Sequence, residues 1–311
     1  MKAIRIHQFG EPDVLKLEKV PVPEPGPSDV LVQVRAAGVN PVDAKTRAGK
    51  ALYRDTQPFP FIPGWDISGV VVGKGSQANR FNPGDEVFGL ARFPQIGAAY
   101  AEYTAVPEDH LAHKPASLDH ISAAALPLVS LTAWQALFDA ANLSGGQTIL
   151  IHAAAGGVGH IAVQLAKNVG AHTFGTASDT HGDFLRSLGL DQWIDYHKTR
   201  FEDVVHQADV VLDTIGGEAR ERSWQVLKPG GILVSLRSTP LGNSPQTHKV
   251  RGVNILVRPD GVQMSEIARL AAKSLLRPHI FKVFPLHEAA AAHRLLELGH
   301  TAGKIVLSIS D

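Results

Sequence analysis

The segment Thr148-Ile149-Leu150-Ile151-His152 runs straight into Ala153-Ala154-Ala155-Gly156-Gly157-Val158-Gly159. A short apolar run bounded by glycines reads as a buried strand. The stretch that follows, to Val169, has helical periodicity, with Val158, Ile161, Ala162 and Leu165 on one side. Strand, tight turn and helix N-terminus together aim backbone N–H groups and a helix dipole at one point, which is a binding place for a pyrophosphate. Ala155, Gly156, Gly157 and Val158 are therefore candidate dinucleotide contacts. Gly156 lets the main chain approach the phosphates, and Gly159 lets the helix sit close to the strand. Ala154 stands where a G-x-G-x-x-G fingerprint has its first glycine, so the match is imperfect.

The chain around this turn alternates. Trp193 to Asp195, Val210 to Asp213 and Ile232 to Leu236 are strand-like, while Asp183 to Leu188 and Glu218 to Leu227 are helical in character. That order predicts a doubly wound parallel sheet, an α/β fold. Residues before about Leu118 differ: Val30 to Ala36 alternates like a strand, and Gly69 to Gly73 and Asp85 to Gly89 are short apolar strands. They predict a separate β-rich domain. Ser122 to Ala140 is read as one helix interrupted by proline. A length of 311 residues also suits two cores better than one. The tail, with helices over Val262 to Leu276 and His287 to Leu298 and a strand over Lys304 to Ile309, fits either domain by periodicity.

Charge and cysteine usage exclude several functions. Lys+Arg and Asp+Glu both number 30, so there is no basic excess for a nucleic acid. With no cysteine, disulfides, thiolate-bound zinc, iron–sulfur clusters and thiol nucleophiles are excluded. No stretch reads as a signal peptide or membrane span, so a cytoplasmic location is expected, with no membrane partner.

The end of the second strand selects the cofactor. An NAD enzyme places an acid there to hold the ribose hydroxyls. Here the run is Gly175-Thr176-Ala177-Ser178, with Ala177 at that place and Ser178 able to bond a phosphate. A carboxylate about 4 Å from a 2′-phosphate would cost about 4 kcal/mol per unit-charge pair at an effective dielectric near 20. NADPH is therefore the expected cofactor. Asp179 lies just beyond and reads as a turn or helix-capping residue.

Further stretches complete a pattern: Gly38-Val39-Asn40-Pro41-Val42-Asp43, Ile62-Pro63-Gly64-Trp65-Asp66, Asn82-Pro83-Gly84-Asp85-Glu86-Val87, Leu131-Thr132-Ala133-Trp134, Leu227-Lys228-Pro229-Gly230-Gly231 and Gly303-Lys304-Ile305-Val306-Leu307. With the glycine turn, they resemble the medium-chain dehydrogenase/reductase superfamily, in its zinc-independent quinone oxidoreductase and enone (alkenal) oxidoreductase branch. The resemblance implies a GroES-like β-rich catalytic domain from residues 1–120 and 262–311, with a Rossmann NADPH-binding domain, residues 121–261, inserted between. It places the active-site cleft between the two. Asn40 stands where zinc members carry their first cysteine, and Trp65-Asp66 where they carry His-Glu, so no metal is expected.

The same resemblance assigns roles. Lys45 and Tyr53 match the lysine and tyrosine that face nicotinamide and substrate, and Asn40 and Asp43 would lie at the cleft floor. Thr132, Thr176, Ile215, Leu236 and Lys304 would flank the cofactor, with Ser178 and Tyr196 at its adenosine phosphate. The implied partner is a small electrophile, a quinone or an enone, and the implied assembly a homodimer. The residues alone allow other readings. Lys45 can be a solvated surface lysine, Tyr53 a rim aromatic, and Asp43 the cap of a helix over Ala44 to Ala48. Reduction of another carbonyl acceptor, or a non-enzymatic NADPH sensor, also fits.

Overall fold

The computed structural model describes residues 1–51, 58–299 and 301–309. The strands are β1 (Lys2–Arg5), β2 (Lys16–Lys19), β3 (Asp29–Val39), β4 (Asp66–Lys74), β5 (Glu86–Leu90), β6 (Tyr103–Pro107) and β7 (Leu111–His113). Next come β8 (Thr148–Ile151), β9 (His172–Ala177), β10 (Gln192–Asp195), β11 (Ala208–Asp213), β12 (Leu227–Ser235) and β13 (Arg251–Asn254). Strands β14 (Ile280–Pro285) and β15 (Lys304–Ser308) close the series. The helices are α1 (Pro41–Arg47), α2 (His120–Ala124), α3 (Pro127–Trp134), α4 (Gly157–Asn168), α5 (Gly182–Ser187), α6 (Gly217–Ser223), α7 (Ser244–Thr247), α8 (Gly261–Ala272) and α9 (Ala289–Leu298). Among the described residues no helix is long and apolar enough to cross a membrane.

Two compact units result: Met1–Leu131 with Arg258–Asp311, and Thr132–Val257. The first division falls later than the expected 120/121, because α2 packs on β3, β4 and β15. The expected long helix over 122–140 is in fact α2, α3 and a wide π-type turn over Gln135–Ala140. Pro127 explains the break: it has no N–H to continue α2 and starts α3.

The first unit is a β-rich body. Its larger sheet runs β14-β15-β3-β4-β5-β7, with β6 also on β3. Strand β3 earns its central place by alternation: Val30, Val32 and Val34 are fully buried, with Leu31, Gln33 and Arg35 half-buried. Strand β15 pairs antiparallel with β3, Ile305 opposite Val39. This pairing sets Lys304 beside the start of α1. The core here gathers Val30, Val32, Phe61, Ile67, Phe81 and Ile305.

The second unit is a parallel sheet in the order β10-β9-β8-β11-β12-β13. Numbered from β8, that is 3-2-1-4-5-6, the doubly wound order of a Rossmann fold. Ile149, Leu150 and Ile151 are all buried, as an interior parallel strand covered on both faces requires. The order brings the C-terminal ends of β8, β9 and β11 together, and the glycine turn leaves β8 at that edge.

Candidate active site

In the second unit the turn after β8 is braced from below. Ala154 N–H donates to Thr176 O at 2.9 Å, and Ala153 N–H to Thr176 Oγ1 at 3.2 Å. The Thr176 hydroxyl, expected at the cofactor, is thus buried and engaged with the turn. Buried His152 links three elements: Nδ1 lies 3.1 Å from Thr176 Oγ1 and Nε2 lies 2.8 Å from Ser223 Oγ. Ser223 already donates to Ala219 O, so His152 donates through Nε2 and accepts at Nδ1. Burial lowers its pKa to about 4, which keeps the ring neutral.

The helix sits tightly on this turn. A methyl at Gly159 would lie 2.3 Å from Ala153 O and 2.7 Å from Ala154 Cα. The alanine in the first glycine position is accommodated from the neighbouring strand. Ala154 Cβ lies 2.7 Å from where a side chain on Gly175 would begin, so the missing Cβ of Gly175 makes room for the methyl of Ala154. The first intrahelical bond of α4 is His160 N–H to Gly156 O, at 3.0 Å. The N–H groups of Gly157, Val158 and Gly159 therefore precede the ladder and face the helix entrance. A turn against which Gly159 packs too closely for a Cβ, with unladdered amides at a helix N-terminus, fits the pyrophosphate of a dinucleotide.

Beside it, buried Asp213 organises the loop after β11. Its Oδ1 accepts from Ile215 N–H at 3.0 Å and Gly216 N–H at 2.7 Å, and its Oδ2 from Ser235 Oγ at 2.7 Å. Leu236 N–H donates to Asp213 O at 2.9 Å. Asp213 thus ties both loops, its carboxylate holding Ile215, Gly216 and Ser235 and its carbonyl holding Leu236. Ile215 is exposed and Leu236 half-buried.

The first unit holds a second cluster around the start of α1. Lys304 is 3% exposed. Its ammonium donates to Val39 O at 2.9 Å and to Asn40 Oδ1, and lies 3.5 Å from Asp66 Oδ2. Asn40 Nδ2 donates to Asp66 Oδ2 at 2.8 Å, and Leu128 N–H to Asp66 Oδ1 at 2.7 Å. Burial pushes the Asp66 carboxyl up, against the opposing pull of Lys304, and pushes Lys304 down. Lys304, expected at the cofactor, lies in this buried group, where the β15–β3 register sets its ammonium against Val39 O, Asn40 and Asp66.

Asp43 caps α1 from its third position rather than as the N-cap residue. Asn40 is the N-cap of α1, Pro41 its first residue, and Asp43 Oδ2 reaches back to Asn40 N–H at 2.8 Å. Tyr100 OH donates to the same oxygen at 2.7 Å. Its hydroxyl oxygen then accepts from His293 Nε2 at 3.2 Å, and His293 Nδ1 accepts from Arg47 Nη1 at 3.4 Å. Arg47 is buried and also binds Gly10 O and Glu297. Burial, with the Arg47 charge adding, brings His293 down to about 3. Asp43 Oδ1 has no hydrogen-bond partner among the described residues. Burial brings Asp43 up to about 7, opposed by its bonds from Tyr100 and Asn40.

Residues 26–116 match the family described as alcohol dehydrogenase GroES-like domain, and 188–307 match zinc-binding dehydrogenase. The 2-methylene-furan-3-one reductase of Solanum lycopersicum is 38% identical over 317 residues, covering 99% of this chain and 79% of that protein. This chain belongs to the medium-chain dehydrogenase/reductase superfamily, in its quinone and enone oxidoreductase branch. Another superfamily relative, an NADPH-dependent alkenal/one oxidoreductase of Arabidopsis thaliana, is also 38% identical over 99% of the chain. A solved quinone oxidoreductase from Coxiella burnetii superimposes with a TM-score of 0.93, at 38% identity, covering 100% of this chain and 99% of that one.

The superfamily includes zinc enzymes, which hold their metal at the places of Asn40 and Trp65-Asp66. At the positions that resemble its ligand places, Asn40 Oδ1 and Asp66 Oδ2 both accept from a lysine ammonium, and Asp66 Oδ2 also accepts from Asn40 Nδ2. An ammonium among the candidate donors repels a cation, and no cysteine is available. These residues do not fit a zinc ion.

The remaining expected residues fall as follows. Lys45 is exposed in the last turn of α1, and Thr132 is buried in α3. Ala177, Ser178 and Tyr196 lie at the ends of β9 and β10, with Tyr196 exposed. Tyr53 lies outside the described residues. His152, Asp213, Tyr100 and His293 carry networks that sequence reasoning missed. Of these only Asp213 had a signal, an acid at the C-terminal end of a strand entering a Gly-Gly turn.

Proposed function

We propose that this protein is a zinc-independent NADPH-dependent oxidoreductase that reduces quinones or the double bond of α,β-unsaturated carbonyls. The observation that carries the reading is the phosphate cradle after β8 in a chain whose relatives, over 99% of its length, include alkenal/one and furanone reductases. When bound, the reduced nicotinamide supplies hydride. Gly156, Gly157, Val158 and Ala155 hold the pyrophosphate, while Asp213 sets the loop of Ile215 and Leu236 against the ring. Ala177 leaves the last position of the second strand without a carboxylate, which favours the 2′-phosphate. Lys45 places an ammonium at the carbonyl oxygen, where charge grows in the transition state. Tyr53 or water returns the proton. A cytoplasmic homodimer belongs to the same reading by resemblance.

The test is product analysis with deuterated NADPH and a cyclic enone. Deuterium at the β-carbon of a saturated ketone is expected. Deuterium on a carbinol carbon overturns the enone reading, and tight NADPH binding without turnover of enones, quinones or ketones overturns catalysis. Elemental analysis finding one zinc per chain, lost together with activity, removes the metal-free part.

A further inference from the structure

Strands β9 and β10 run side by side, with Ala177 opposite Asp195. Tyr196 N–H approaches Ala177 O at 3.4 Å. The residues just past each strand therefore share one patch: Ser178 and Asp179 from one, Tyr196 and Lys198 from the other. The turn after β10 is closed on itself. Asp195 is buried, its Oδ1 accepts from His197 N–H at 3.0 Å, and its carbonyl accepts from Lys198 N–H at 3.1 Å and Thr199 N–H at 2.9 Å. The turn thus fixes the root of the Lys198 side chain. Its ammonium lies 3.0 Å from Asp195 Oδ2 and 3.7 Å from Asp179 Oδ2, so it bridges the two strand ends.

The neighbouring cation points elsewhere. Arg186 pairs with Asp183 one turn earlier on α5 and lies over the Trp193 ring at 5.5 Å. Lys198, two residues past Tyr196, carries its ammonium to Asp179, the neighbour of Ser178. Its partner Asp179 is the type of side chain that accepts ribose hydroxyls in NAD sites. A phosphate dianion competes for the ammonium with twice the charge of one carboxylate, while a bare ribose diol instead offers donors to the carboxylate.

Resting on the dinucleotide reading above, we propose that the Asp179–Lys198 ion pair is the cofactor selector of this chain. Lys198 takes the 2′-phosphate of NADPH alongside Ser178 and Tyr196. Asp179 opposes that phosphate and holds the 2′-hydroxyl when the phosphate is absent. The pair gives graded preference rather than exclusion, because the opposing groups stand in one patch.

Calorimetric binding of 2′,5′-ADP and of 5′-AMP to the whole protein tests this without turnover. Wild type should prefer the bisphosphate. Lys198→Gln should weaken 2′,5′-ADP about tenfold, equivalent to 1.4 kcal/mol, while 5′-AMP binding holds or tightens. Asp179→Asn should shift the ratio the opposite way, tightening 2′,5′-ADP and weakening 5′-AMP, and Arg186→Gln should leave the ratio unchanged. A wild-type preference that survives Lys198→Gln overturns the selector and leaves the NADPH reading intact. A wild type that binds both probes equally overturns the NADPH reading itself.

Discussion

Replacing Lys304 by methionine removes the positive charge that Asp66 faces in the interior of the first unit. Lys304 is 3% exposed and Asp66 fully buried, so solvent screens their attraction little. At 3.5 Å and an effective dielectric of about 20, that attraction is about 5 kcal/mol. Breaking a buried pair from one side costs about 3–5 kcal/mol, because the other charge stays buried without compensation. Urea unfolding at pH 8 should therefore show Lys304→Met losing about 3–5 kcal/mol. The Lys304→Met/Asp66→Asn double variant should lose less than Lys304→Met alone, since no charge is stranded. pH gives a second handle. Without Lys304 the Asp66 carboxyl rises further above its unfolded value. A raised folded pKa stabilises at low pH and loses that contribution as pH rises through it. The defect should accordingly shrink when the variant is unfolded at pH 5.5. A Lys304→Met protein within 1 kcal/mol of wild type at pH 8, or a double variant no better than the single, would refute the buried-pair argument.

Three further outcomes follow from other sites. Asp43 titrates at about 7 in the fold against 3.8 outside it, so its contribution falls as pH rises between those values, by up to about 1.4 kcal/mol per pH unit. Asp43→Asn should remove that slope in unfolding measured from pH 5 to 8, and an unchanged slope would clear Asp43 of it. Gly159→Ala drives a methyl to 2.3 Å from Ala153 O, so the turn must shift, and dinucleotide affinity measured by fluorescence titration should fall at least about tenfold. Ala177→Asp should weaken NADPH binding by a few kcal/mol at most, about 10- to 100-fold, with NADH little changed.

The legible parts of this protein were those whose signals are local. The β8 strand, glycine turn and α4 helix lie within consecutive residues and follow from periodicity and turn chemistry alone. The break at Pro127 was visible as a residue but not as a division of helices, because α2 is held by packing on β3, β4 and β15. Strand β13, Arg-Gly-Val-Asn, has no alternation to mark it and forms at the open edge of the parallel sheet. The Asp43–Tyr100–His293 chain joins residues 57 and 193 positions apart, so no spacing rule could reveal it. The surroundings of Lys304 were hidden for the same reason: its motif marked it as notable, but only the β15–β3 register shows what its charge meets.

The place of β15 between β14 and β3 has a consequence for how this protein is made. The parallel-sheet unit is complete once Val257 has left the ribosome, and it can fold then. The unit that begins first finishes last, for β3 lacks one neighbour until Lys304–Ser308 is synthesised. At about 5–20 residues per second, that interval is about 3–10 s. Throughout it Asn40 and Asp66 await their ammonium, and the edge of β3 lies open to any other strand. A nascent chain stalled before residue 304 should thus carry one protease-resistant body and one protease-sensitive body.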